Sequence, residues 1–197
     1  MRRLSLGLQL GYWPASPPAH HLALAIEAEQ LGYRTVWTGE AWGSDAFTPL
    51  AWVGAHTRRI GLATGIAQIS ARTPTCCAMQ ALTLDHLSGG RFALGLGVSG
   101  PQVVEGWYGR PFSQPLARTR EYVDIVRRVL RRDGPVTGPG PHYALPYAGA
   151  DASGEGRPLR PITHALRPDL PIWLGAEGPK NVALAVELCA GSFPLYT

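Results

Sequence analysis

Charge is scarce in this chain of 197 residues: Asp, Glu, Lys and Arg make up 16% of it, and no run of five or six like charges occurs. The formal net charge of +4 comes from scattered arginines, which argues against a nucleic-acid partner. No apolar run approaches the ~20 residues of a membrane span, so no membrane partner is expected either. The opening MRRLSLGLQLG sets two arginines before a short apolar run, but Gln9 interrupts that run and no small-residue cleavage site follows. It reads as a first strand rather than a signal peptide. Cysteine is nearly absent. Cys76 and Cys77 are adjacent and Cys189 stands alone, a spacing that suits neither a disulfide framework nor a metal site. No metal is expected, and the three thiols fit small buried apolar residues in a reducing cytoplasm.

What the chain has is 45% hydrophobic residues, 24 glycines and 18 prolines, an ordinary globular composition rich in loops. Strand-like apolar runs fall at 4–11 (LSLGLQLG), 35–38 (TVWT), 59–69 (RIGLATGIAQI), 91–97 (RFALGLG) and 171–175 (PIWLG). Helical patterns alternate with them. One spans 18–31 and is closed by Gly32; a second is capped by Thr73, has Pro74 at its first position and runs to Ser88. A third, 116–132, puts Tyr122, Ile125, Val126, Val129 and Leu130 on one face, and a fourth covers 181–188. The strands are almost continuously apolar, as strands covered on both faces are. Units of roughly 30 residues therefore predict an α/β fold with a parallel sheet. Segment 133–170 is Pro- and Gly-rich and far longer than an ordinary connection. It is expected to be an ordered excursion over the site, with short strands near 142–145 and 159–163 and with Tyr143, Leu145, Tyr147 and Ile162 to bury.

Gly95-x-Gly97-x-x-Gly100 has the spacing of the dinucleotide-binding fingerprint. A true fingerprint opens a helix, yet Pro101 follows Gly100 at once and Gly106, Gly109 and Pro111 come soon after, so no helix is expected there. The acidic residue wanted about 20 positions on would be Glu121, which lies inside an arginine-rich helix rather than at a strand end. The Rossmann reading fails on these grounds. A TIM (β/α)8 barrel remains, and its site forms where the strands end. The walls would be Gly11-Tyr12-Trp13, Gly39-Glu40-Ala41-Trp42, Gly65-Ile66-Ala67-Gln68, Gly97-Val98-Ser99-Gly100 and Gly175-Ala176-Glu177-Gly178. Glycines at strand ends let a flat ligand approach the backbone. An anionic group would sit at Gly178-Pro179-Lys180-Asn181, a turn into a helix start with bare N–H donors.

LTLDHLSGGRFALGLGVSG, the SARTP before that helix, TGEAWGSDAFTPLAW and GAEGPKNVALA together resemble the bacterial luciferase-like superfamily. The resemblance is closest to its actinobacterial branch of oxidoreductases using the deazaflavin coenzyme F-420. It implies a barrel with an insertion near the site, often dimeric, that binds deazaflavin or, in the alternative, FMN at its mouth. It also implies a non-prolyl cis peptide at Gly65–Ile66 backing the ring, beside Gln68. Coenzyme contacts would then come from Gly11, Trp13, Glu40, Ala41, Gly97, Val98, Ser99 and the stretch Gly175, Ala176, Glu177, Gly178, Pro179, Lys180. Such members often end strand two in an Asp-His pair; here Glu40 and Ala41 stand there, and Gly100 replaces a further acidic residue. Those departures leave the small-molecule substrate open. Glu40 is the remaining acid/base candidate, or else a structural partner of Arg72. His86 is expected to be a structural hydrogen-bonder, and Trp13 and Trp42 either flank the ring or fill the core. The sequence ends where a sixth strand begins, at 191–197, so a single incomplete barrel domain over 1–197, with five to six strand–helix units, is expected. The readings are an oxidoreductase passing hydride to or from a small organic substrate, an FMN-dependent monooxygenase, or an inactive barrel remnant with a binding or structural role. A homodimer is expected for a complete barrel.

Overall fold

The structure, a computed structural model, describes residues 4–138 and 140–194. The arginines at 2 and 3 and the expected strand residues 195–197 lie outside the described residues.

Strands β1 (Gly7–Gly11), β2 (Thr35–Thr38), β3 (Gly61–Thr64), β4 (Ala67–Gln68), β5 (Phe92–Gly97), β6 (Ile172–Gly175) and β7 (Gly191–Phe193) form one sheet. Its order is β1-β2-β3-β5-β6-β7, with β4 pairing β5, and every pairing is parallel. β3 and β4 are two lengths of one strand position, separated at Gly65–Ile66, whose peptide is cis. The order advances without reversing, so there is no switch-point crevice for a dinucleotide. This is an open arc of a TIM (β/α)8 barrel, and the glycine fingerprint is not a Rossmann turn.

Helices α1 (His21–Gln30), α2 (Thr48–His56), α3 (Pro74–Leu87), α5 (Pro115–Arg131) and α6 (Pro179–Leu188) pack on one another in sequence as a single outer layer. Outward residues of the sheet, such as Val36, Leu62, Leu94, Leu96 and Ile172, share a core with Tyr122, Ile125 and Val126 of α5. Thr73 caps α3 as its sequence implies, its Oγ1 accepting the Cys76 N–H at 3.2 Å. α2 was not legible as a helix; Asp45 starts it by accepting the N–H groups of Phe47 and Thr48, both at 2.8 Å. The expectation of no helix after Gly100 is also corrected. A short α4 (Pro101–Gly106) opens there because Pro101 presets the first-turn φ and Val104 is buried.

The inner face carries few but large side chains. Trp37 meets Trp173 and Phe193 edge-on across the concavity, with ring centroids 6.2 and 5.4 Å apart. Glycine is obligatory where strands close on one another. A Cβ on Gly95 would overlap the Thr64 carbonyl, and the Thr64 hydroxyl both donates to Gly95 O (2.7 Å) and accepts from Gly95 N (2.8 Å). One side chain thus replaces the ladder bonds lost where β3 breaks.

LDHLSGGR is a structural knot at the opposite end of the strands. Asp85 is 1% exposed and takes Arg167 together with the Phe92 N–H. Arg91 donates to the carbonyls of Ser88, Ile60, Gly54 and Thr57 at 2.8 to 3.2 Å. His86 Nε2 bonds the His164 carbonyl at 2.8 Å, the structural role expected of it. The described residues of 133–170 run along α5, and the expected strands reduce to the isolated bridges Val136↔Leu159 and Gly138↔Leu145. Tyr143 packs on Tyr122 at 5.5 Å, whereas Tyr147 and Ile162 are exposed, contrary to expectation. Pro- and Gly-rich backbone folds back on itself without needing every apolar residue inside. The cysteines divide. Burial pushes Cys77 and the half-buried Cys189 up to about 11, but Cys76 is exposed, which corrects the reading of three buried thiols. Among the described residues no helix is long and apolar enough to cross a membrane.

Replacing Asp85 with Ala strands Arg167 and the Phe92 N–H, and should lower unfolding stability by on the order of 3 kcal/mol. Urea denaturation checks this; a midpoint within error of the parent would remove Asp85 from the framework.

Candidate functional site

Because all strands run in parallel, their C-terminal ends gather at one mouth. The backbone there is tightly joined: Gly39 N–H bonds Gly11 O at 2.9 Å, Gly65 N–H bonds Thr38 O at 2.6 Å, and Gln9 Nε2 holds Gly65 O at 2.9 Å. The proposed wall residues Gly11, Glu40, Ala41, Gly65, Ile66, Gln68, Gly97 and Gly175 are therefore brought together.

Glu40 is committed. Its side chain is 4% exposed and that of Arg72 is 9% exposed, and the two form a two-pronged ion pair. The second carboxylate oxygen also takes the Gln68 N–H at 2.8 Å, and Arg72 lies over the Phe47 ring at 5.1 Å. Bidentate, desolvated and capped by an aromatic face, the pair is well satisfied. Both carboxylate oxygens are thus engaged within the wall itself. The structural alternative weighed for Glu40 is the one its geometry supports.

Around this post the wall is assembled. Gln68 Nε2 donates to the carbonyls of Glu40 (3.0 Å) and Ala41 (3.4 Å), and Tyr108 Oη donates to Ala41 O at 3.1 Å. Burial, and then the Glu40 charge, raise the Tyr108 pKa. Tyr108 has no sequence signature; only the turn after α4 brings it to the mouth. With its amide nitrogen thus fixed, Gln68 presents a buried Oε1 that has no donor among the described residues.

Two glycines have a different reason from the one expected. A Cβ on Gly97 would lie 2.7 Å from Ile66 Cγ1, and one on Gly175 would lie 3.2 Å from Ile66 Cγ2. Both make room for Ile66. Val98 packs against the core, and Ala176 is buried with its N–H on Phe193 O at 3.2 Å. Ser99 adopts φ 57°, a left-handed conformation uncommon for a side-chain-bearing residue and concentrated at functional sites. Trp13 is half-buried, its backbone N–H on Ser44 Oγ at 3.1 Å and its Nε1 without a partner among the described residues; Trp42 is exposed. Gly178 caps α6 with no atom within 4 Å of a Cβ built on it, ahead of Pro179, Lys180 and Asn181. The first-turn N–H groups of Lys180 and Asn181 precede any helical acceptor. Exposed Glu177 and Lys180 bring opposite charges to that turn.

A luciferase-like monooxygenase family model matches residues 5–197. The chain belongs to the luciferase-like monooxygenase family. A Mycobacterium tuberculosis protein provisionally named a coenzyme F420-dependent oxidoreductase is 65% identical over 193 residues, covering 98% of this chain and 56% of its own length. The 4-hydroxyprotoasukamycin monooxygenase of Streptomyces nodosus subsp. asukaensis is 35% identical over 149 residues, covering 70% of this chain and 40% of its own. The chain thus spans about half the length of the curated relatives it matches. The solved coenzyme F420 dependent tetrahydromethanopterin reductase of Methanopyrus kandleri superposes with a TM-score of 0.80 over 96% of this chain and 55% of its own, at 24% identity, which bears on the fold alone.

If Ile66 fills the space that Gly97 leaves, Gly97→Ala should cost about 1–3 kcal/mol through overpacking. Adding Ile66→Ala should return part of that loss. Thermal unfolding of the single and double variants checks it; strictly additive losses would contradict the packing account.

Proposed function

We propose that this chain belongs to an oxidoreductase that uses the deazaflavin coenzyme F-420 to pass hydride to or from a small organic substrate. The observation that carries the reading is the pairing, at one mouth, of an apolar wall bearing a buried unpartnered acceptor with an open helix start. Ile66 supplies the apolar surface. Gln68 Oε1 offers an acceptor, and the Lys180 and Asn181 N–H groups offer donors. A planar ring with an imide edge and an anionic arm matches both chemistries. The likeness to the mycobacterial relative supports the same reading.

In that arrangement each residue has a limited task. Gly65 and Ile66 back the ring, and Gln68 orients it. The α6 N-terminus takes the arm's anion through backbone N–H groups and the helix dipole. Lys180 is exposed, so its attraction is screened, and Glu177 partly opposes it. Glu40 and Arg72 position Gln68 without meeting the reacting atoms. When bound, the deazaflavin supplies a ring carbon that carries the hydride; the protein supplies orientation and a dry surface.

The Streptomyces monooxygenase favours a second reading, in which a reduced flavin mononucleotide works at the same mouth. Fluorescence titration with coenzyme F-420 and, separately, FMN divides them. Saturable binding of F-420 without FMN is expected. The reverse supports the monooxygenase reading, and binding of neither leaves a structural or binding role alone. Gly178→Asp refines the assignment. An Asp at that cap accepts the first-turn N–H groups itself and adds a repelling charge. F-420 affinity should fall roughly tenfold or more, ~1.4 kcal/mol per decade, with the melting temperature unchanged or slightly raised. Unaltered affinity would move the anionic arm elsewhere.

A further inference from the structure

The chain that leaves β5 at Gly97 rejoins the outer layer at Pro115, the start of α5, and carries the short α4 in between. Three points fix its route. Ser99 and Gln114 adopt left-handed backbone, with φ of 57° and 51°, so the segment turns sharply where it leaves the sheet and again where it meets α5. Between those turns Tyr108 reaches Ala41, three residues past the end of β2, its Oη donating to the Ala41 carbonyl at 3.1 Å.

Strand order gives this contact its meaning. β2 and β5 stand on either side of the β3/β4 position. A segment that starts at the β5 end and touches the β2 end spans what lies between them, the β4 end with Ile66 and Gln68. The acceptor is shared as well. Ala41 O also takes Gln68 Nε2 at 3.4 Å, and the Oε1 of the same amide is the buried acceptor assigned to the ring.

The attachments of this span are few. Val104 is the one buried residue of 101–112. The N–H groups of Val103, Val104, Trp107, Tyr108 and Arg110 bond within the segment, and Glu105 accepts the Phe112 N–H at 3.2 Å. Among the described residues, the Tyr108–Ala41 bond is the one hydrogen bond tying 101–112 to another element. Burial and the Glu40 charge raise the Tyr108 pKa, so its hydroxyl stays a donor at neutral pH. One net hydrogen bond shifts a closure equilibrium by a factor of about two to ten, which leaves it reversible. Turns at both ends, a single buried side chain and a single polar tie are the anatomy of an active-site lid.

We infer that residues 99–114 form a strap that closes over the coenzyme wall, with Tyr108 as the positioning residue that latches it to Ala41. What lies beneath the strap rests on the coenzyme reading; the latch itself does not.

Tyr108→Phe removes the hydroxyl and keeps the ring, and two measurements on the 197-residue chain read its effect. Hydrogen–deuterium exchange without coenzyme reads the latch. The amides of 101–112 should exchange about two- to tenfold faster in the variant, with α3 and α5 unchanged. Stopped-flow displacement of bound F-420 reads the closure, and dissociation should quicken by about the same factor. Unchanged exchange over 101–112 overturns the latch. Faster exchange spread equally through α3 and α5 makes Tyr108 a framework residue and overturns it too. Faster exchange with unaltered F-420 dissociation removes the strap from the coenzyme wall. If the parent chain binds no F-420, the coenzyme reading fails, and the exchange result decides the latch alone.

Discussion

The mouth depends on one buried ion pair, Glu40 with Arg72. Removing both charges from water costs several kcal/mol per ion, and only near-complete satisfaction offsets that. Here the satisfaction comes from four directions: the two-pronged contact itself, the Gln68 N–H, the Gln68 carbonyl at 3.4 Å from Arg72 Nη1, and the Phe47 ring. The pair ties the end of β2 to β4 and to the start of α3. Tyr122 extends the link, its hydroxyl 3.3 Å from Arg72 O, and Tyr143 rests on Tyr122, so α5 and the long insertion brace the same post.

The second constraint is the break between β3 and β4. Breaking a strand orphans backbone groups, and the sequence supplies Thr64 to satisfy them and glycines at 95, 97 and 175 to accept the displaced chain. The result is a molecule with two unlike ends. Where the strands finish, backbone donors, a buried acceptor and Ile66 form a wall. Where they begin, Asp85, Arg91 and Arg167 knot the turns together. The aromatic layer of Trp37, Trp173 and Phe193 separates the two.

The repeating architecture was legible because period and capping act locally. Apolar runs, Thr73-Pro74 and Gly32 fix elements before any tertiary contact forms. Pro101 opens a helix rather than preventing one, so the strand order, not a missing helix, is what excludes a Rossmann turn at Gly95–Gly100. α2 escaped notice because its cap, Asp45, lies three residues before its first turn amid aromatic and proline residues. The glycine pattern was visible, but its cause was not. Whether a glycine spares a ligand or a neighbouring Ile66 is a fact of packing between positions 31 residues apart. The same holds for Glu40: sequence places a carboxylate at the mouth, and only the fold brings Arg72, 32 positions on, to claim it. Tyr108 had no sequence signal at all.

A double-mutant cycle on Glu40 and Arg72, read by equilibrium urea unfolding, tests the central claim most directly. Glu40→Gln and Arg72→Met should each cost on the order of 3 kcal/mol, because each strands a buried partner. The double variant should cost less than the sum by more than about 1 kcal/mol, as residues in direct contact do. Single variants as stable as the parent, or losses that simply add, would contradict a mouth built on this pair.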